Sequence, residues 1–148
     1  MNKKRILILF AGVMLAVAVI GFYQFNKPHK NYEKAKVEVT ISANLLHDTF
    51  NSDEQKANRE YLNKIIEVSG QPVSYDHNAN GSVTICLEDE FMGVSCTFDS
   101  LYVVKNYERF KWAQKAELIK IKGRCDGFLT DVRLSKCSFI PMTHQNAP

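Results

Sequence analysis

Five stretches of the chain alternate apolar and polar residues at period two, and they restrict the fold more than any other feature. Lys64–Ser69 (KIIEVS) runs into Gly70, and Ser82–Glu88 (SVTICLE) sets Val83, Ile85 and Leu87 on one face. Val94–Phe98 (VSCTF) aligns Val94, Cys96 and Phe98, and Leu118–Arg124 (LIKIKGR) alternates Ile119 and Ile121 with Lys120, Lys122 and Arg124. Val132–Ile140 completes the set. Such alternation predicts strands with one face buried and the other in water.

Helical signals fall in two places. Between the third and fourth strands, Ser100 to about Lys111 spaces Leu101, Val104, Tyr107 and Lys111 as a helix would. Ahead of the strands, Ser42 is placed to cap a helix through Phe50, and Ser52-Asp53-Glu54-Gln55 has the capping-box pattern for a second helix to about Leu62. Val37–Ala43 is short and ambiguous between extended and irregular chain. Five strands with a helix inserted between the third and fourth predict a five-stranded OB-fold barrel, mostly β with helices, preceded by one or two short helices.

The N-terminal part obeys a different constraint. Ile6–Phe25 is an apolar run of 20 residues in which Gln24 is the one strongly polar member. As a helix it would span ~30 Å, the thickness of a bilayer's hydrocarbon layer. Ala16-Val17-Ala18 offers a cleavage pattern, but Val19-Ile20-Gly21-Phe22-Tyr23 stays apolar where a cleaved signal turns polar. An uncleaved signal-anchor is therefore expected over residues 1–25, followed by a polar tether at 26–36 and an OB-fold domain at 37–148. No cysteine lies near the N-terminus, which excludes a lipid-anchored start. Lys3, Lys4 and Arg5 precede the run and Lys27, Lys30, Lys34 and Lys36 follow it, so charge alone does not orient it. The short N-terminal tail suits export, giving a single-pass membrane protein with its C-terminal domain outside the cytoplasm.

Charge and motifs bound the chemistry. The three basic residues before the run account for the whole formal charge of +3, so the remainder is neutral. Glu38–Asp99 is acidic, with eleven acids and three bases, whereas Lys105–Lys136 holds nine bases and four acids. Lys120, Lys122 and Arg124, on one face of the fourth strand, are the candidate contacts for phosphate. The second and third strands offer Ser82, Thr84, Glu88, Ser95, Thr97 and Asp99 outward, with no aromatic for base stacking. No nucleophile elbow, phosphate loop or metal-plus-base cluster occurs, so no catalytic residue and no cofactor is expected.

Asp76-His77-Asn78-Ala79-Asn80-Gly81 opens like a calcium loop. Its twelfth position is Leu87 where a glutamate is needed, Glu88 comes one residue late, and the exit reads as a strand. A hairpin turn is expected instead, with Asn80-Gly81 supplying positive φ, and no metal. Cys86, Cys96, Cys125 and Cys137 form no zinc pattern. Cys125 and Cys137 flank the last hairpin and are the pair a disulfide would join, worth ~3 kcal/mol in an oxidising compartment. Two buried thiols are the alternative.

Asn26–His29 (NKPH), Ile65–Gly70 (IIEVSG), the VSCTF strand and Ile119–Cys137 (IKIKGRCDGFLTDVRLSKC) resemble the membrane-anchored bacterial OB-fold proteins grouped as tRNA-anticodon-binding-like. The resemblance covers almost the whole chain and rests on strand glycines, core apolars and cysteines. Ala116 departs from it, standing where the family commonly has glycine. The resemblance implies a membrane-tethered OB fold and carries no established activity. The expected function is a non-catalytic binding or interaction module of the bacterial cell envelope, taking a protein, glycan or small ligand. A nucleic-acid-binding OB domain is the alternative, and a hydrolase the third possibility.

Overall fold

The computed structural model describes residues 32–140 together with Met14. The apolar run at 6–25, Met14 apart, and the first part of the tether lie outside the described residues. Among the described residues no helix is long and apolar enough to cross a membrane. Residues 32–140 fall within one compact unit, Asn31–Pro148.

That unit is mostly β with helices. A 3-10 turn at Tyr32–Lys34 precedes β1 (Val39–Ser42), α1 (Ala43–Ser52) and α2 (Glu54–Tyr61). Then come β2 (Ile65–Gly70), β3 (Pro72–His77), β4 (Val83–Leu87) and β5 (Val94–Phe98). After them follow α3 (Ser100–Lys105), α4 (Tyr107–Ala113), β6 (Ile119–Phe128) and β7 (Val132–Phe139). The strands form one curled mixed sheet of seven, in the order β1-β2-β6-β7-β5-β4-β3. β1 runs parallel to β2 and β5 parallel to β7; the other pairs are antiparallel.

Seven strands replace the expected five for two reasons. Val39–Ser42 pairs as an edge strand, and Pro72–His77 is a strand where the calcium-like pattern suggested a loop. A proline at the first strand position leaves the ladder intact. Only Gln71 separates β2 from β3, yet β2 pairs with β6 and β3 with β4. The chain therefore changes sheet neighbour within one extended run. Glu88 holds that change in place. Its Oε1 accepts from Gln71 N–H at 3.0 Å, and its own N–H donates to the Gln71 carbonyl at 2.8 Å.

The core follows from the alternation. Val83, Ile85, Leu87, Val94, Cys96, Phe98, Ile119, Ile121, Cys125, Val132 and Leu134 all point inward and are buried. Each large apolar side chain withdrawn from water contributes ~1.5–3 kcal/mol. In β7 the inward parity shifts, because Lys136 adopts φ 54° and the β6 register slips between Lys122 and Arg124. Past that bulge Cys137 and Phe139 face the core and Ser138 faces out. Two aromatic groups seal the ends: Phe50 stacks on Phe128 with centroids 5.7 Å apart, and Phe98 lies 5.0 Å from Phe110 and 4.9 Å from Phe139.

Helix caps match the local chemistry with one change. Ser42 Oγ accepts from Leu45 N–H at 3.4 Å and starts α1 as expected. For α2 the cap is Asp53, whose carboxylate accepts from Lys56 N–H at 2.9 Å. Ser52 instead donates to the Asp48 carbonyl, so the expected capping box does not form. The turn at Ala116 closes without glycine, its N–H donating to the Ala113 carbonyl at 3.2 Å.

Tyr75 ties β3 to the end of α4, its hydroxyl donating to the Ala113 carbonyl at 2.6 Å. Burial pushes its ionisation from the ordinary 10.0 up to about 12. The folded state thus holds this proton more tightly than the unfolded chain does. The associated stability is complete below pH 10.0 and is lost as pH rises toward 12. Urea midpoints of the wild type should fall faster than those of Tyr75→Phe across that window; parallel slopes would contradict the assignment.

Candidate functional site

The outer face of β6 carries Lys120, Lys122 and Arg124 together, as their alternation predicts. All three are engaged within the chain. Lys120 Nζ lies 3.5 Å from Glu67. Lys122 Nζ donates to the Glu33 and Ala35 carbonyls at 2.8 and 3.1 Å, which docks the end of the expected tether against the sheet. Arg124 Nε meets Asp126 at 2.7 Å, and that carboxylate raises the guanidinium's affinity for its proton. The basic row therefore comes together in space, but its donors are partly committed.

The second outer face belongs to β3, β4, β5 and β7. Strand register aligns Asp76, Thr84 and Thr97 in one row and Ser74, Cys86, Ser95 and Arg133 in the next. Every strand residue on β4 and β5 in these rows is small, and none is aromatic. Asn78 donates to Thr84 at 3.3 Å, Thr84 and Thr97 share a hydrogen bond of 3.3 Å, and Ser95 donates to Asp131. Ser74 and Ser135 carry buried hydroxyls without a partner among the described residues. Cys86 lies here, on the face opposite Val83, Ile85 and Leu87, and burial raises its thiol pKa.

Two loops bound this face. In the β4–β5 loop the Asp89 carboxylate accepts from Met92 and Phe91 N–H at 2.8 Å each, and these bonds lower its pKa. Phe91 and Met92 themselves are exposed. The β3–β4 connection is the calcium-like stretch. Gly81 N–H donates to the Asn78 carbonyl at 2.9 Å, and Asn78 N–H to the Ser82 carbonyl at 3.0 Å. Asn80 Oδ1 accepts from both Ser82 N–H and Ser82 Oγ. Gly81 has φ 79°, whereas Asn80 is not left-handed. The expected two-residue turn is thus a three-residue loop, with glycine in the one position that requires positive φ.

The bridge expected between Cys125 and Cys137 is not formed. All four cysteines are free and buried. Cys125 stands opposite Leu134, while Cys137 packs toward Gly123, two residues further along β6. Two residues amount to about 7 Å along a strand. That offset carries the two backbones past the usual disulfide reach. Burial raises both thiols, and Cys137 lies beside Cys96 instead.

With this geometry described, the comparisons with known proteins can be placed beside it. The tRNA_anti-like family profile matches residues 1–139. The chain belongs to the tRNA_anti-like family. A similar fold occurs in the crystal structure of a Klebsiella pneumoniae lipoprotein provisionally described as nucleic acid-binding. That likeness has a TM-score of 0.56 and 16% identity, covering 78% of this chain and 100% of the other. At that identity it shows the fold alone, an OB-like one in a tRNA_anti-like chain. A Leishmania major aspartyl-tRNA synthetase, also provisionally assigned, aligns with TM-score 0.39 and 13% identity. This second alignment covers 81% of this chain and 24% of the synthetase, and its score carries no argument. No curated protein sequence matches.

Proposed function

We propose that this tRNA_anti-like chain is a non-catalytic OB-fold binding module, tethered by residues 6–25 to a membrane of the bacterial envelope with its domain outside the cytoplasm. Taking β2 and β3 as one bent strand, the ladder β2/β3-β4-β5-β7-β6 returns to β2/β3. The curled sheet is then a five-stranded OB barrel with β1 added at its edge. The apolar run and the lipoprotein character of the Klebsiella neighbour support the envelope setting.

The observation that carries the reading is the surface of β4 and β5. It is a carpet of Thr84, Cys86, Ser95 and Thr97, flanked by Asp76 and Asp131. Hydroxyls and carboxylates suit a polar ligand such as a glycan or a protein loop; the β4 and β5 rows carry no aromatic for stacking, and Arg133 beside them is paired with Asp131 at 3.4 Å. A second reading, nucleic-acid binding through β6, is favoured by the description of the Klebsiella neighbour.

Single-stranded oligonucleotide titrated at several salt concentrations separates them. The first reading expects no saturable binding near physiological salt and no change in Lys120→Gln/Lys122→Gln/Arg124→Gln. Strand binding through the row would instead show log K falling with log salt at ~0.7 per phosphate contact, with loss in the triple variant.

A further inference from the structure

A cleft of about 300 Å³ opens between the 3-10 turn, α3–α4 and the outer faces of β2, β6 and β7. Its floor follows from register, since Glu67 pairs with Lys122 and Lys122 with Ser138. The bulge at Lys136 places Ser138 here: without the parity shift this hydroxyl would point into the core. Ser138 is 4% exposed, lines the cleft, and has no hydrogen-bond partner among the described residues. A buried hydroxyl without a partner costs roughly 1–3 kcal/mol, a penalty that a bound acceptor would relieve.

Charge decides what such a ligand must be. Both acids of the cleft have cations of their own, Glu33 with Lys105 at 3.9 Å and Glu67 with Lys120 at 3.5 Å. Its two cations have no carboxylate partner among the described salt bridges. Among the described residues Lys122 meets only the carbonyls of Glu33 and Ala35, with a third N–H to spare, and Arg109 stands exposed at the mouth beside the Tyr102 hydroxyl. Tyr102 Oη accepts from Phe139 N–H at 2.8 Å, so its own proton is available to donate. The surplus is thus two positive charges and two hydroxyl donors.

We propose that this cleft binds a compact molecule bearing an oxyanion, a carboxylate or a phosphate monoester, with Arg109 and Lys122 countering its charge and Ser138 and Tyr102 donating to it. The volume lies at the small end of ligand pockets, which suits a small molecule and not a polymer. A guanidinium fork fits either group bidentately. The proposal does not depend on what the β4–β5 face binds.

Amide NMR of the full-length chain, titrated separately with inorganic phosphate and with acetate, tests it. Saturable shifts at Ser138 and Phe139 are expected with at least one probe, and the probe that saturates identifies the group. Arg109→Gln should weaken that binding roughly tenfold or more. Ser138→Ala should weaken it severalfold with the melting temperature unchanged or raised, and Lys56→Gln, on α2 and outside the cleft lining, should leave it alone. Absence of saturation at these amides with both probes overturns the proposal, as does binding indifferent to Arg109→Gln and Ser138→Ala. If Arg109→Gln fails to fold, Ser138→Ala decides.

Discussion

Phe98→Ala should lower the stability of the domain by about 4 kcal/mol, the range expected when a fully enclosed aromatic is truncated to a methyl group. Phe98 is 0% exposed and lies at the centre of an aromatic group. Its ring centroid is 5.7 Å from Tyr102, 5.0 Å from Phe110 and 4.9 Å from Phe139. These rings belong to β5, α3, α4 and β7, so one side chain joins the sheet to the helical layer. Three packed neighbours on separate elements cannot all move in to fill the space, and most of the cavity should persist. Urea unfolding measures the loss. The midpoint should drop steeply with little change in slope, and Phe98→Leu should retain more than half of the stability at stake. A loss below about 1 kcal/mol for the alanine variant would mean the cluster repacks freely, contrary to this account.

Gly93→Ala is the second large effect, and it arises from backbone instead of volume. A Cβ at Gly93 would lie 2.1 Å from the Leu87 carbonyl oxygen and 2.5 Å from that of Asp89. Both are main-chain atoms of a tight β4–β5 loop, so no rotamer change relieves the overlap. The Gly93 carbonyl also accepts from Val132 N–H at 3.1 Å, which starts the β5–β7 pairing. Accommodating a methyl must therefore disturb the loop and that ladder together, and we expect about 3 kcal/mol or more. Thermal unfolding followed by far-ultraviolet dichroism should show a depressed midpoint, or little soluble protein. A wild-type melting curve would refute the close approach.

Some of the architecture was legible because its signals are local. The alternation in SVTICLE, VSCTF and LIKIKGR predicts β4, β5 and the first part of β6, and the structure buries the same faces. Ser42 as a cap is equally local and recurs in α1. The single helix expected after Ser100 is instead two, α3 and α4, broken at Asn106. Its spaced Leu101, Val104 and Tyr107 face solvent, while Tyr102, Phe110 and Ala113 are buried. Pro72–His77 was missed because its residues alternate poorly. Its strand character comes from pairing with β4, which no window of sequence contains. The same limit explains Glu88: three adjacent acids suggest a solvated loop, yet one of them pins the chain at Gln71.

The basic row shows where sequence and structure part. Alternation alone puts Lys120, Lys122 and Arg124 on one face, because side-chain direction in a strand repeats every two residues. Whether those cations can serve a ligand depends on what the fold brings to them. Lys122 is held by carbonyls from residues 33 and 35, nearly ninety positions earlier. Ser138 faces the cleft only because Lys136 bulges, and Arg109 and Tyr102 reach the same cleft from a separate helical layer. By itself the sequence determined the inward faces of β4, β5 and the first part of β6, the cap that starts α1 and which family the chain resembles, since these depend on neighbours a few positions away. Only the tertiary structure decided the number and order of strands, the failure of Cys125 and Cys137 to meet, and the location of uncompensated positive charge. Those depend on contacts between distant segments, which hydrogen-bond register and close packing settle together.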